Sequence, residues 1–141
     1  MKVYIEVEFM IDFVSQYYDN QVNKVFMEDA IVYRHEGNSI CGDDITVYLK
    51  IEDNLISKRS YDGNTSMITT ASSSFFSELI GRKTLDESLN MTYENTLIPE
   101  GFEVSPRRRR AGAIAILATR NAIHEYLKDN LIDTRDQVVE L

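Results

Sequence analysis

Apolar and polar positions change period along the chain. From Lys2 to Phe9, Val3, Ile5, Val7 and Phe9 alternate with Lys2, Tyr4, Glu6 and Glu8, a period of two that predicts a short strand. Phe9, Met10, Phe13, Val14 and Tyr17 then fall at helical spacing. Asp19-Asn20-Gln21 interrupts the pattern, and Val25 to His35, with Ile31 and Tyr33, reads as a strand leading to a loop at Glu36-Gly37-Asn38. The cleanest strand puts Ile45, Val47, Leu49 and Ile51 on one face and Thr46, Tyr48, Lys50 and Glu52 on the other. Asp53-Asn54 is a turn signal, so this strand and Leu55 to Tyr61 are expected to pair as a hairpin.

The second half is helical in period. Ile68, Ala71, Phe75, Leu79 and Ile80 recur at spacings of three and four, giving a helix to cover the sheet, with Gly81 as its C-cap. A short helix from Leu85 to Asn90 precedes an irregular run containing Pro99 and Pro106. A long helix starts near Pro106 and runs through Ile114, Leu117, Ala118, Ala122, Ile123, Tyr126 and Leu127. The predicted class is α+β, a small antiparallel sheet with helices packed on one face. Residues 1–141 are expected to form a single domain, weakly ordered from about 129 despite Val138, Val139 and Leu141 at its end.

Composition narrows the function classes. A formal net charge of −8 with a pI near 4.7 argues against nucleic-acid binding, which needs Lys and Arg over a whole face, and suits basic partners. No apolar run is long enough for a membrane span, and the N-terminus carries acids and no cleavage-site pattern, so a cytoplasmic location is expected. The single cysteine, Cys41, forms no internal disulfide. Neither His35 nor His124 sits at metal-ligand spacing, and both are expected to be structural or exposed. No Ser/His/Asp arrangement, catalytic carboxylate pair or phosphate loop is present around Thr69-Thr70 and Ser72-Ser73-Ser74, so no enzymatic activity is expected.

One stretch organises the rest. It runs from Ile40-Cys41-Gly42-Asp43-Asp44 through Tyr61-Asp62-Gly63-Asn64-Thr65-Ser66 to Ala71-Ser72-Ser73-Ser74-Phe75-Phe76 and Gly81-Arg82-Lys83-Thr84-Leu85-Asp86-Glu87. The order resembles the U-type iron–sulfur cluster scaffold family (IscU, SufU and the N-terminal domain of NifU), and the SufU branch most. Cys41-Gly42-Asp43 matches the family's Cys-Gly-Asp, Tyr61 to Phe76 its second-cysteine loop and following helix, and Gly81 to Glu87 its Gly-Lys-x-Leu-Asp-Glu-like segment; the resemblance covers Tyr33 to Leu127.

What the resemblance implies is a NifU-like fold holding an iron–sulfur cluster, or zinc, on three converging thiolates and an aspartate, with a cysteine desulfurase or another cluster-assembly protein as partner. Carried over by position, Cys41 and Asp43 are the metal ligands, while Ser66 and Ala111 stand where the family has its other two cysteines. Two donors fall short of the roughly four that zinc or a cluster takes, so no stably bound metal is expected in one chain. The implied function is a degenerate scaffold serving as accessory or regulatory partner, with Cys41 as the sole sulfur acceptor. The alternative is a non-metal binding or structural protein that keeps the fold and forms a homo-oligomer through Phe75, Phe76 and nearby strands. Arg107-Arg108-Arg109-Arg110 puts cations at a helix N-terminus, against the macrodipole; either a solvated basic cluster or a salt bridge from Arg110 to Asp43 in place of the metal would account for it.

Overall fold

The computed structural model describes residues 16–17, 21, 23–38, 43–101 and 106–140, with the side chains of 38, 106 and 107 excepted. The N-terminal strand and most of the helix expected after it, together with Cys41, lie outside the described residues; Gln16 and Tyr17 are helical.

Three strands form an antiparallel sheet in the order β1-β2-β3: β1 Val32–Asn38, β2 Asp43–Glu52 and β3 Leu55–Asn64. The expected hairpin joins β2 to β3 through Asp53 and Asn54, both at positive φ (53° and 62°), the geometry whose twist matches paired strands. The period-two reading of β2 holds: Ile45, Val47 and Leu49 are fully buried. With Tyr61 of β3 they form the sheet side of the core.

The expected strand at Val25 starts seven positions late. Glu28 and Asp29 form a turn, Val25 and Phe26 are exposed, and pairing begins at Val32. The residues read as a loop, Glu36-Gly37-Asn38, belong to β1. Gly37 has φ +89°, and a Cβ there would sit 2.3 Å from the Asp43 carbonyl oxygen, which explains a glycine inside a strand. Lys24 makes a parallel bridge to Tyr61, whose N–H donates to the Asn23 carbonyl at 3.0 Å, so this segment runs beside β3.

Helix α1, Met67–Ile80, and helix α4, Pro106–Leu127, cover the core face of the sheet. They approach closely at Gly112, where a Cβ would come within 2.9 Å of Ser72 Oγ and 3.0 Å of Tyr93 Cε2. Between them lie α2 (Leu85–Leu89), closed by a Thr84/Glu87 capping box, and α3 (Tyr93–Thr96), closed by Thr92/Asn95, followed by a 3-10 turn at Ile98–Glu100. The run expected to be irregular is therefore capped, and it buries Tyr93 and Leu97. Gly81 follows α1 at φ −56°, and the left-handed residue that turns the chain is Arg82 at +67°.

Phe75 and Phe76 are buried, Phe76 completely, so these two side chains are not available for self-association. Beyond 129 the chain folds back: α5, Arg135–Val138, carries Val138 and Val139 into the core. A polar knot ties it down. Asp133 Oδ2 accepts from Arg120 Nε at 2.8 Å and contacts His124 Nε2 at 3.1 Å, while His124 Nδ1 reaches Asp129 at 2.8 Å. No helix among the described residues is long and apolar enough to cross a membrane.

Candidate functional site

Residues at the start of β2, the end of β3 and the start of α1 and α4 form the candidate site. Ser66 precedes the first helical residue of α1 in extended conformation and is its N-cap: its Oγ accepts the Thr69 N–H at 3.3 Å. The same hydroxyl donates to Thr69 Oγ1 at 3.1 Å, and Thr69 Oγ1 donates in turn to the Ala111 carbonyl at 2.9 Å. Asp43, first residue of β2, accepts the Ser66 backbone N–H on Oδ1 at 2.8 Å.

Three of the expected positions, Asp43, Ser66 and Ala111, are linked in series by hydrogen bonds through Thr69. Beside them Lys24 Nζ donates to Thr65 Oγ1 at 3.2 Å, a cation next to the Ser66 loop for which the sequence carries no local signal. His35 pairs with Asp44 across β1 and β2.

Arg110 does not close the site. It is exposed on α4, next to Ala111, and among the described residues no ion pair joins it to Asp43, whose Oδ1 is engaged by the Ser66 N–H. Arg108 is exposed as well, and Arg109 between them is half-buried. The first turn of that helix carries no acidic residue to complement its dipole.

The donor chemistry decides what the site can hold. Ser66 Oγ is committed as a helix cap, and an aliphatic hydroxyl is too weak an acid to replace a thiolate; Ala111 contributes only a backbone carbonyl, already bonded. Among the described residues no group of three or more His, Cys, Asp or Glu side chains is arranged to hold a metal ion. Of the four family ligand positions, this chain has metal-type side chains at two, Cys41 in the sequence and Asp43, where zinc or a cluster takes about four ligands.

A second feature was missed in the sequence. Arg59, on the core face of β3, is 3% exposed and has no carboxylate partner among the described residues. Its Nε donates to Thr119 Oγ1 at 2.9 Å; Nη1 donates to the Ser73 carbonyl at 2.9 Å and Ser77 Oγ at 2.5 Å; Nη2 donates to Ser73 Oγ at 3.0 Å and the Ala115 carbonyl at 3.4 Å. The Phe76 and Tyr61 rings lie 5.1 and 5.7 Å from the guanidinium carbon. Burial pulls its pKa down to about 9, which leaves it charged at neutral pH. The hydroxyl-rich interior of α1 is thus in part a receptor for a guanidinium behind the site. A helix that mixes Ser73 and Ser77 with buried aromatics was the available hint.

Comparison with known proteins follows the same outline. The model of the NifU-like N terminal domain matches residues 11–133. The chain is 30% identical over 120 residues to the iron-sulfur cluster assembly scaffold protein IscU 1 of Archaeoglobus fulgidus, covering 84% of this chain and 77% of that protein. It is 28% identical over 79 residues to the zinc-dependent sulfurtransferase SufU of Bacillus subtilis, covering 56% and 53%. Among solved structures, a NifU-like protein (N-terminal) from Brucella abortus aligns with TM-score 0.65 at 19% identity, over 85% of this chain and 99% of that one. A putative SufU scaffold from Fervidobacterium islandicum aligns with TM-score 0.58 at 20% identity, over 80% and 92%. At these identities the two structures speak to the fold.

Proposed function

Because this chain belongs to the NifU-like N-terminal domain family of iron–sulfur cluster assembly scaffolds, we propose that it keeps the family frame while acting as an accessory or regulatory partner in cluster assembly or sulfur transfer, without holding a cluster alone. The observation that carries this reading is the hydrogen-bonded series from Asp43 through Ser66 and Thr69 to Ala111. Where relatives named scaffold or zinc-dependent protein are expected to converge thiolates, this chain converges a cap, a hydroxyl and a carbonyl.

Sulfur handling falls to Cys41, the sole thiol. A persulfide there needs only one sulfur nucleophile, whereas a cluster needs several ligands at once. The partner of this reading is a cysteine desulfurase, whose own persulfide supplies the sulfur; Cys41 attacks it, and the desulfurase thiolate leaves. Incubation with a desulfurase and free cysteine, followed by intact-mass measurement, tests this: one added sulfur on the wild type and none on Cys41→Ser is expected. An unmodified wild type alongside a normally modified IscU control would remove the sulfur-transfer role. Phe75 and Phe76 are in the core, which leaves the nearby strands as the surface for the self-association reading.

A further inference from the structure

At the far end of α4 from Ala111 the chain reverses, and a strap running from Asp129 to Val139 is tied back to the helix by two anchors that the proposed function does not use. The first is apolar: Val138 and Val139 are buried in the core. The second is ionic. His124, 7% exposed, stands between two carboxylates, with Asp129 Oδ2 at 2.8 Å from its Nδ1 and Asp133 Oδ2 at 3.1 Å from its Nε2. Between the anchors Leu131 and Ile132 are exposed and hold nothing down. The turn itself favours opening, since Lys128 holds φ 54°, in the left-handed region that a residue with a Cβ rarely takes. The polar partners of His124, Asp129 and Asp133 all lie among the described residues.

An ionised carboxylate only accepts hydrogen bonds, and a neutral imidazole has one N–H to give. A neutral ring would therefore set a nitrogen lone pair against a carboxylate oxygen at one of its two ends. Neither carboxylate relieves this by carrying the proton. Asp133 Oδ2 already accepts from Arg120 Nε at 2.8 Å, and Asp129 is held below the usual carboxylate range, first by the bond from His124 and next by the Leu131 N–H on its Oδ1 at 3.0 Å. Both contacts are satisfied together only by a ring that carries both protons. The other charged groups around it are Arg34, Glu125 and Lys128, which line the same cleft, and Glu36, which accepts from Asn121 Nδ2 at 2.9 Å. These are two cations and two carboxylates, so the charge of the ring is decided by Asp129 and Asp133 against Arg120.

We propose that the strap is a clasp governed by pH: it is closed while His124 carries both ring protons, and it loosens as pH rises and one of them leaves, uncovering the apolar seat of Val138 and Val139. The sign follows from linkage. The closed form binds more protons than the open form wherever an open ring would be neutral, so opening is favoured above about pH 6.5, where imidazole ordinarily loses its charge. Arg120 keeps its bond to Asp133 throughout, which makes the release a shift in a local equilibrium and not a loss of the fold.

The test is amide hydrogen exchange of the full chain, corrected for the intrinsic effect of pH, with the protons on the His124 ring nitrogens read by nitrogen-edited NMR. At about pH 6 both ring nitrogens are expected to be protonated. The Asp133 and Val139 amides donate to Asn121 Oδ1 and to the Arg135 carbonyl. Their protection should fall about tenfold or more between about pH 6 and about pH 8, while Val47 and Leu49 in the buried sheet keep theirs. Asp129→Asn keeps an oxygen for the Leu131 N–H and offers an amide N–H to a neutral ring, so it should leave the strap closed and remove the pH dependence. A singly protonated ring at the lower pH, unchanged protection at Asp133 and Val139, an equal fall at Val47 and Leu49, or a pH dependence that survives Asp129→Asn would each overturn the proposal. None of these readings involves Cys41, so they separate the clasp from the sulfur-transfer reading.

Discussion

Replacing Arg59 by lysine and by methionine separates two ways of reading a buried cation. The guanidinium offers five N–H donors in a fixed plane, and five donor–acceptor contacts reach Thr119, Ser73, Ser77 and Ala115, with two aromatic rings nearby. Lysine keeps the charge but has three donors and no plane. Two charge-assisted hydrogen bonds at about 1.5 to 3 kcal/mol each are lost, so Arg59→Lys is expected to cost about 3 to 6 kcal/mol. Methionine loses every bond but also removes the desolvated charge. The fall in pKa to about 9 corresponds to a desolvation penalty on the order of 5 kcal/mol, which offsets part of that loss. The Ser73 and Ala115 carbonyls lie inside helices, and Thr119 Oγ1 already donates to the Ala115 carbonyl at 2.7 Å, so few groups would be orphaned. With that penalty relieved, Arg59→Met is expected to cost about as much as Arg59→Lys, about 3 to 6 kcal/mol, although it makes none of the bonds. Urea unfolding followed by circular dichroism measures both. A lysine variant as stable as the wild type, or a methionine variant clearly worse than the lysine one, would refute the reasoning.

Three smaller predictions follow from the same geometry. Gly112→Ala places a Cβ 2.9 Å from Ser72 Oγ and 3.0 Å from Tyr93, so α1 and α4 must part; a loss of about 1 to 3 kcal/mol in urea unfolding is expected, and an unchanged midpoint would contradict the close approach. Burial and the hydrogen bond to Asp62 push Tyr48 up to about 12; the fold then holds more protons than the unfolded chain between pH 10 and 12, and stability falls as pH rises through that window. Tyr48→Phe should flatten this alkaline limb, which pH-dependent unfolding reads directly. The His124 hydrogen bond holds Asp129 below its ordinary 3.8, so its contribution is complete above that pH and lost as pH falls through the lowered value; Asp129→Asn should soften the acid limb of the same curve.

Much of the frame was legible because its signals are local. Ile45, Val47 and Leu49 alternate cleanly, Asp53-Asn54 permits two left-handed residues, and Pro106 can begin a helix, so β2, the hairpin and α4 follow from period and turn chemistry. Val25 misled because apolar residues in an extended-looking run carry no mark of where pairing starts; that point is set by Leu49 on another strand. The Tyr93–Thr96 turn was missed although Thr92 and Asn95 cap it, since four residues show no helical period. At the site, the positions of Asp43, Ser66 and Ala111 could be placed by resemblance, but their linkage could not, because it passes through Thr69 and a backbone carbonyl. Arg59 was invisible for a related reason. A buried cation satisfied by neutral acceptors has no acidic partner in the sequence to betray it.

The proposal that this pocket lacks the donors to grip a metal can be put to the test by restoring them. Wild type and the Ser66→Cys/Ala111→Cys variant are loaded with zinc anaerobically, desalted, and assayed for metal per chain by mass spectrometry of the intact monomer. The account predicts little zinc on the wild type and close to one ion on the variant, since each added thiol enters at a position linked through Thr69 to the same pocket. A wild-type monomer that retains a full equivalent of zinc and loses it on Cys41→Ser would contradict it.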